Sequence, residues 1–372
     1  MPDRLKLLLL IPHLGTGGAE QVTSQLARHL DNSRFNIQLC SFTKDTSDLQ
    51  PIPATVHLHR FHCKRVRDGW FQLIRFIRSE RPEVILSNMA HLNFLVLLLK
   101  PFLPKGTRIL VRQNTTASAS AKTWIARLPY RLLYPRADGI ICQSQAMASD
   151  LTLNFGLLRS VMSVQANPVD IASIRAACTS NQSVWPPNSW PRLLYVGRLA
   201  REKGIDLLLQ ALYLIRPHFP RLHLQILGSG SEDSELRTLT GKLSLEPSVT
   251  FCGHRLDLPS FYAESTLFVL PSRYEGMPNA LLEAAVTGLP IVTTPSSSGL
   301  CDLLKDAQGT WVSSAVSAES LAEILLTALD TLPCLPAAQR RFEHAFLAPF
   351  DTSTAIAKYA DLIERVASPV ES

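Results

Sequence analysis

The chain has 372 residues, of which 46% are hydrophobic and 18% charged; this is too apolar for a disordered chain and long enough for two hydrophobic cores. Its net charge of +6 is uneven, with 21 Lys and Arg against 11 Asp and Glu in residues 1–170 but 16 against 20 in residues 171–372, so the first half is the one suited to a polyanion or a membrane surface. No apolar run approaches the ~18 residues of a spanning helix, and seven cysteines without a Cys-x-x-Cys pair or clustered histidines indicate neither a disulfide framework nor a zinc site, which fits a reducing cytoplasm.

Short apolar runs rich in β-formers alternate with helix-length stretches along the whole chain, the pattern of parallel α/β sheets. In the first half the spacing predicts strands at 5–11, 36–42, 56–60, 83–87, 108–112, 139–143 and 161–166, with helices at 19–30, 70–79, 91–99 and 145–154. The apolar run at 7–11 is short for the core of a leader and lacks a small-x-small cleavage pattern, so it reads as part of the first strand. After a polar, Pro-rich stretch at 179–191 come strands at 193–196, 222–227, 249–252, 266–270 and 290–294, with a helix at 205–215. The expected fold class is α/β, with two Rossmann-like doubly wound domains, 1–170 and 192–340, joined by a linker at 171–191 and facing an interdomain cleft. Ligands of open α/β sheets bind at the carboxyl ends of the strands, so the chemistry belongs in the strand-to-helix loops.

The first strand runs into Gly15-Thr16-Gly17-Gly18-Ala19-Glu20. Glycines and helix-start N–H groups suit a phosphate, but the segment matches neither Gly-x-Gly-x-x-Gly nor a P-loop and reads equally as a tight turn. In the second half, Arg198 and Lys203 lie between Gly197 and the helix at 205–215. Cations at a helix N-terminus are unfavourable unless an anion joins them, which makes this pair informative. The most specific segment runs from Pro271 to Ala285. There Glu275 falls in a loop, Asn279 is expected to cap the next helix, and Glu283 sits just inside it, so that two carboxylates reach different hydroxyls of one ligand.

Taken together, Gly15-Thr16-Gly17-Gly18, Asn167-Pro168-Val169-Asp170, Val196-Gly197-Arg198 with Glu202-Lys203-Gly204, Leu227-Gly228-Ser229-Gly230, and Glu275-Gly276-Met277-Pro278-Asn279 through Glu283-Ala284 resemble the retaining glycosyltransferases of family four, which have the GT-B fold. The resemblance covers nearly the whole chain. It implies a nucleotide-sugar donor held by the second domain, and residues 341–372 forming a final helix that crosses back to the first. It also assigns Arg198 and Lys203 to the donor diphosphate, Glu283 to the ribose, and Glu275 with the backbone of Gly276, Met277, Pro278 and Asn279 to the transferred sugar. Gly17 and Gly18 would close over the phosphates. His91 stands where the family often has a histidine on the donor sugar, and reads otherwise as a structural residue. Met277 and Ser296-Ser297-Ser298-Gly299 depart from the commoner aromatic residue and glycine pair.

The implied reaction moves a hexose or N-acetylhexosamine, from a UDP-sugar by preference, to a lipid-linked or surface-polysaccharide glycan, with same-face displacement and no cofactor. The sequence contains no Asp-x-Asp, so no metal ligand set is expected, and cations would meet the charge developing on the leaving diphosphate. A sugar-nucleotide epimerase of the same architecture and a non-catalytic nucleotide-sugar-binding subunit are the alternatives. Basic residues mixed with aromatic and aliphatic ones between Arg60 and Arg81, and again at Arg127, Tyr130, Arg131, Tyr134 and Arg136, suit peripheral contact with an anionic membrane and a polyprenyl-diphosphate-linked acceptor at the inner face of the plasma membrane. No nucleic-acid recognition module is visible.

Overall fold

The computed structural model describes residues 4–15, 17–43, 52–178, 184–332 and 341–368. The chain forms two compact units, one of Met1–Pro168 with Pro349–Ser372 and the other of Val169–Ala348.

Unit 1 is built on seven parallel strands: β1 (Leu5–Ile11), β2 (Phe35–Ser41), β3 (His57–Arg60), β4 (Val84–Asn88), β5 (Arg108–Arg112), β6 (Gly139–Cys142) and β7 (Met162–Val164), in the order β3-β2-β1-β4-β5-β6-β7. β1 is apolar on both faces because both are covered. Leu8 and Leu10 enter one core with Ile85, Val96 and Val111, while Leu7, Leu9 and Ile11 enter the other with Val22, Leu26 and Leu86. The second core is completed by the helix Thr352–Ala367, which contributes Ile356, Tyr359, Ala360 and Ile363 at helical spacing.

Unit 2 repeats the plan with six strands: β8 (Arg192–Val196), β9 (His223–Leu227), β10 (Val249–Gly253), β11 (Leu267–Leu270), β12 (Ile291–Thr293) and β13 (Thr310–Val312), in the order β10-β9-β8-β11-β12-β13. β13 was not expected, since three half-buried residues leave no readable periodicity. The segment 171–191 is not a linker throughout. Asp170 accepts a hydrogen bond from the Ser173 N–H at 2.9 Å and caps a helix, Ile171–Ala177, that belongs to unit 2. Residues 179–183 of that segment lie outside the described residues.

In both sheets the strand order reverses beside the first strand of the unit. β1 and β4 are hydrogen-bonded neighbours in unit 1, as are β8 and β11 in unit 2. These are the topological switch points at which open α/β sheets hold ligands, and the four loops that follow those strands carry most of the sequence motifs, whereas Leu227-Gly228-Ser229-Gly230 follows β9 and Asn167-Pro168-Val169-Asp170 follows β7.

Candidate active site

At the switch point of unit 2, β8 ends at Val196 and the chain turns through Gly197 and Arg198 into a 3-10 turn, Arg201–Lys203, before the helix Ile205–Ile215. Gly204 joins the turn to the helix at φ 66°, and a Cβ there would collide with the Pro271 carbonyl oxygen. Glycine is therefore required both by the left-handed backbone and by the close approach of the β11 loop. That approach brings Lys203 to the second motif: its Nζ donates to Glu275 Oε1 at 2.6 Å, and Ser272 Oγ donates to the same oxygen at 2.8 Å. The Glu275 side chain is 8% exposed and that of Lys203 20%. The two motif residues, 72 positions apart in sequence, form one ion pair largely shielded from water.

As expected, Glu275 falls in the loop after β11, and there it is buried, with its N–H donating to the Ser296 carbonyl. Gly276, Met277 and Pro278 are buried beside it. Asn279 is the first residue of the helix Asn279–Val286, and Pro278 occupies the cap position, where no side-chain capping bond forms. The expected Asn279 cap is thus corrected: the helix starts one residue earlier than a capping role allows, because Pro278 supplies the extended backbone of the cap. Glu283 lies one turn further and accepts from the Tyr262 hydroxyl at 3.0 Å. Burial, and then the Glu283 carboxylate, push the Tyr262 hydroxyl well above its usual pKa, so it stays protonated as a donor.

Arg198 is more open. Its side chain is 68% exposed and pairs with Glu202 at 2.8 Å. A further pair escaped the sequence reading: Arg273 grips Asp206 through two bonds of 2.7 and 2.6 Å and also donates to the Arg201 carbonyl. Burial works against the Asp206 carboxylate, but Arg273 and the N–H groups of Leu207 and Asp206 hold its pKa below the usual carboxylate value. The start of the helix Ile205–Ile215, expected to favour a ligand anion, therefore already carries an internal one. The acid directly after Gly204-Ile205 was the available signal for it; for Tyr262 the sequence offers none.

At the switch point of unit 1, Gly17 is the cap and Gly18 the first residue of the helix Gly18–His29, both exposed; Thr16 lies outside the described residues. Glu20 is 6% exposed, and its carboxylate packs so closely on Gly17 that a Cβ there would strike Oε2. It pairs with His13 at 3.2 Å. After β4, Met89 adopts φ 77°, a conformation rare for a side-chain-bearing residue, and His91 lies in the first turn of the helix Ala90–Leu99. Although His91 as a whole is exposed, burial around its ring, and then the His13 charge, hold its pKa below 6.5. Behind these loops, fully buried Arg112 donates to Asn88, Asn114, Asn167 and Tyr359, with no carboxylate in ion-pair range among the described residues.

Among the described residues no three His, Cys, Asp or Glu side chains converge as a metal-binding group, and no helix is long and apolar enough to cross a membrane. The six described cysteines are free; Cys334 lies outside the described residues.

The family models coincide with the two motif-bearing regions. The model for Glycosyltransferase Family 4 matches residues 16–173, and that for Glycosyl transferases group 1 matches residues 190–331. This chain belongs to glycosyltransferase family 4. An uncharacterized glycosyltransferase of Methanocaldococcus jannaschii is 26% identical over 63% of this glycosyltransferase, a match that spans 61% of the archaeal protein. The N-acetylgalactosamine-N,N'-diacetylbacillosaminyl-diphospho-undecaprenol 4-alpha-N-acetylgalactosaminyltransferase of Campylobacter jejuni is 26% identical over 81% of this chain and 84% of its own length. The crystal structure of Anabaena Alr3699/HepE in complex with UDP aligns at a TM-score of 0.74, with 18% identity, over 97% of this chain and 100% of that one. The fold of this glycosyltransferase is accordingly GT-B.

Proposed function

We propose that this glycosyltransferase moves a hexose or N-acetylhexosamine from a UDP-sugar to a lipid-linked or surface-polysaccharide glycan, with retention at the anomeric carbon and without a metal. The observation that carries the reading is the Lys203–Glu275–Ser272 cluster at the switch point of unit 2. The Lys203 ammonium can pass from Glu275 to a diphosphate. Arg198, exposed on the same loop and paired there with Glu202, joins it. As the C1–O bond to the diphosphate breaks, negative charge grows on the leaving group, and these preorganised cations stabilise it more strongly than in the ground state. The acceptor oxygen attacks C1 from the face the diphosphate leaves, and its proton passes to a departing phosphate oxygen. Glu275 orients Lys203 and accepts from a sugar hydroxyl, with the backbone of Gly276, Met277, Pro278 and Asn279 lining the sugar, while Glu283, set by Tyr262, takes the ribose. Gly17, Gly18 and His91 are the donor contacts assigned to unit 1.

Support for the donor comes from the UDP complex of Anabaena HepE; support for the acceptor comes from the Campylobacter relative, whose name puts its glycan on diphospho-undecaprenol. With such an acceptor the protein works at the cytoplasmic face of the plasma membrane, in peripheral contact with it. The deciding experiment incubates the protein with labelled UDP- and GDP-sugars and a membrane lipid extract, with and without EDTA, and determines the anomeric configuration of the product by NMR. The expected result is EDTA-resistant transfer from a UDP-sugar with an α linkage. An inverted product or a strict metal requirement would overturn the mechanism. Nucleotide release without acceptor elongation would identify an epimerase, and binding without turnover a non-catalytic subunit.

A further inference from the structure

The helix Trp124–Leu133 of unit 1 is apolar on two opposite sides. On the inner side Tyr130 is 4% exposed, with its ring 4.9 Å from Phe94 and 5.0 Å from Phe155. On the outer side Trp124 is 72% exposed, Ile125 62%, Leu128 37% and Leu132 63%. At 3.6 residues per turn these four fall within an arc of about 100°, centred opposite Tyr130. An ordinary surface helix solvates that side with polar residues; this one presents a tryptophan and three aliphatic side chains side by side.

The charge around the stripe indicates its partner. Between Glu83 and Asp138 the sequence contains no Asp or Glu but eight Lys and Arg. Of these, Lys122 precedes the helix, Arg131 flanks the stripe and Arg136 follows it, all three exposed. Arg127 turns inward instead, its guanidinium 5.3 Å from the Phe155 ring. An exposed Trp-and-aliphatic ridge with basic residues at its edges and no acid in its own stretch of chain matches the boundary between anionic headgroups and acyl chains. The other basic stretch does not present such a face: in the helix Trp70–Glu80 the apolar positions Leu73 and Ile77 are buried, and only Trp70 and Phe71 at its start stand out. Of the second cluster, Tyr130 and Tyr134 are core residues, so the residues offered to a membrane are not the tyrosines the sequence pointed to.

We propose that the helix Trp124–Leu133 is the membrane-docking element of this protein, with Trp124, Ile125, Leu128 and Leu132 entering the headgroup boundary of an anionic leaflet while Lys122, Arg131 and Arg136 meet its phosphates. The proposal rests on the lipid-linked-acceptor reading and gives it a location. Because β5 and β6 are parallel, the chain leaves β5 at the carboxyl edge of the sheet, the edge that carries Gly17 and His91, and the helix starts from there. Docking by this helix therefore brings the lipid surface to the edge of unit 1 where an acceptor headgroup is needed.

The test is co-sedimentation with phosphatidylcholine vesicles containing about one-third phosphatidylglycerol. The wild-type protein is expected to bind at ~50 mM salt and to be largely released at ~500 mM. The triple variant Ile125→Ser, Leu128→Ser, Leu132→Ser is expected to partition at least about tenfold more weakly, with an unchanged thermal midpoint. In an arm that leaves the fold untouched, brominated lipid should quench the wild-type fluorescence and should quench Trp124→Phe markedly less. Equal partition of wild type and triple variant would overturn the assignment even if transfer to a lipid-linked acceptor is observed. Loss of partition in the variant would uphold it even if no such transfer occurs, so the two readings fail separately. A wild-type dimer that the triple variant converts to a monomer, with no vesicle binding by either, would identify the stripe as a contact between copies and also overturn the proposal.

Discussion

Units 1 and 2 share one topology and place their motifs at equivalent switch points, yet they fill them with opposite chemistry. In unit 2 the loops meet as charged pairs, Lys203 with Glu275 and Arg273 with Asp206. In unit 1 the buried cation, Arg112, is surrounded by amides and a phenol, and the acid at the helix start, Glu20, is paired with a histidine. Topology thus fixes where a ligand binds and leaves the side chains to decide what it is. A carboxylate-held lysine can be handed to a diphosphate, whereas a guanidinium locked by neutral acceptors is a structural element.

The largest expected effect tests that distinction directly. Lys203→Met should lower transfer by about 10²–10³-fold, the usual loss when one donor to a developing anion is removed, and should also lower the melting temperature, because Glu275 is left buried without its partner. Adding Glu275→Gln should recover the melting temperature without recovering transfer, as read by calorimetry and a labelled-sugar assay; recovery of both would place Lys203 in the scaffold. Next, Arg112→Met should destabilise unit 1 by about 3 kcal/mol in urea unfolding, since several buried oxygens lose their donor at about 1–3 kcal/mol each. Wild-type stability would mean that those amides find other partners.

A smaller effect separates the units by pH. His91 in unit 1 and His223 and His344 in unit 2 are all held below the usual pKa of 6.5, by burial first in each case. Below 6.5 the unfolded chain therefore binds protons that the folded chain refuses. Stability should be intact above that pH and should fall as pH drops through 6.5 toward the folded values. Melting curves between pH 7.5 and 5.5 should shift down by about 2–4 °C per kcal/mol lost, and His223→Gln with His344→Gln should remove more of the shift than His91→Gln. A flat profile would refute the assignment. Smallest is the surface pair of Arg34 and Glu364, each side chain more than 40% exposed; Glu364→Gln should cost no more than about 1 kcal/mol and should lose even that in high salt.

The buried strands were legible because a strand covered on both faces must be apolar along its length, as Leu7–Ile11 is. Motif loops could be read for the same reason: Gly204 is imposed by a backbone conformation and a neighbouring carbonyl, and such constraints leave a residue type in the sequence. What could not be read was made by tertiary meeting. Nothing local ties Tyr262 to Glu283 or Arg273 to Asp206, and the sequence shows that Tyr130 is aromatic without showing that it faces Phe94 and not solvent. Short β13 has no pattern of its own and exists because β12 offers it an edge.

The helix Thr352–Ala367 has a consequence for the order in which the protein can be made. Unit 2 is a single continuous stretch, whereas unit 1 needs Ile356, Tyr359 and Ile363 to finish one of its two cores. The half of the chain that leaves the ribosome first is therefore the half that completes its folding last. Until then the sheet around Leu7, Leu9 and Ile11 lacks part of its cover and leaves apolar surface open to aggregation.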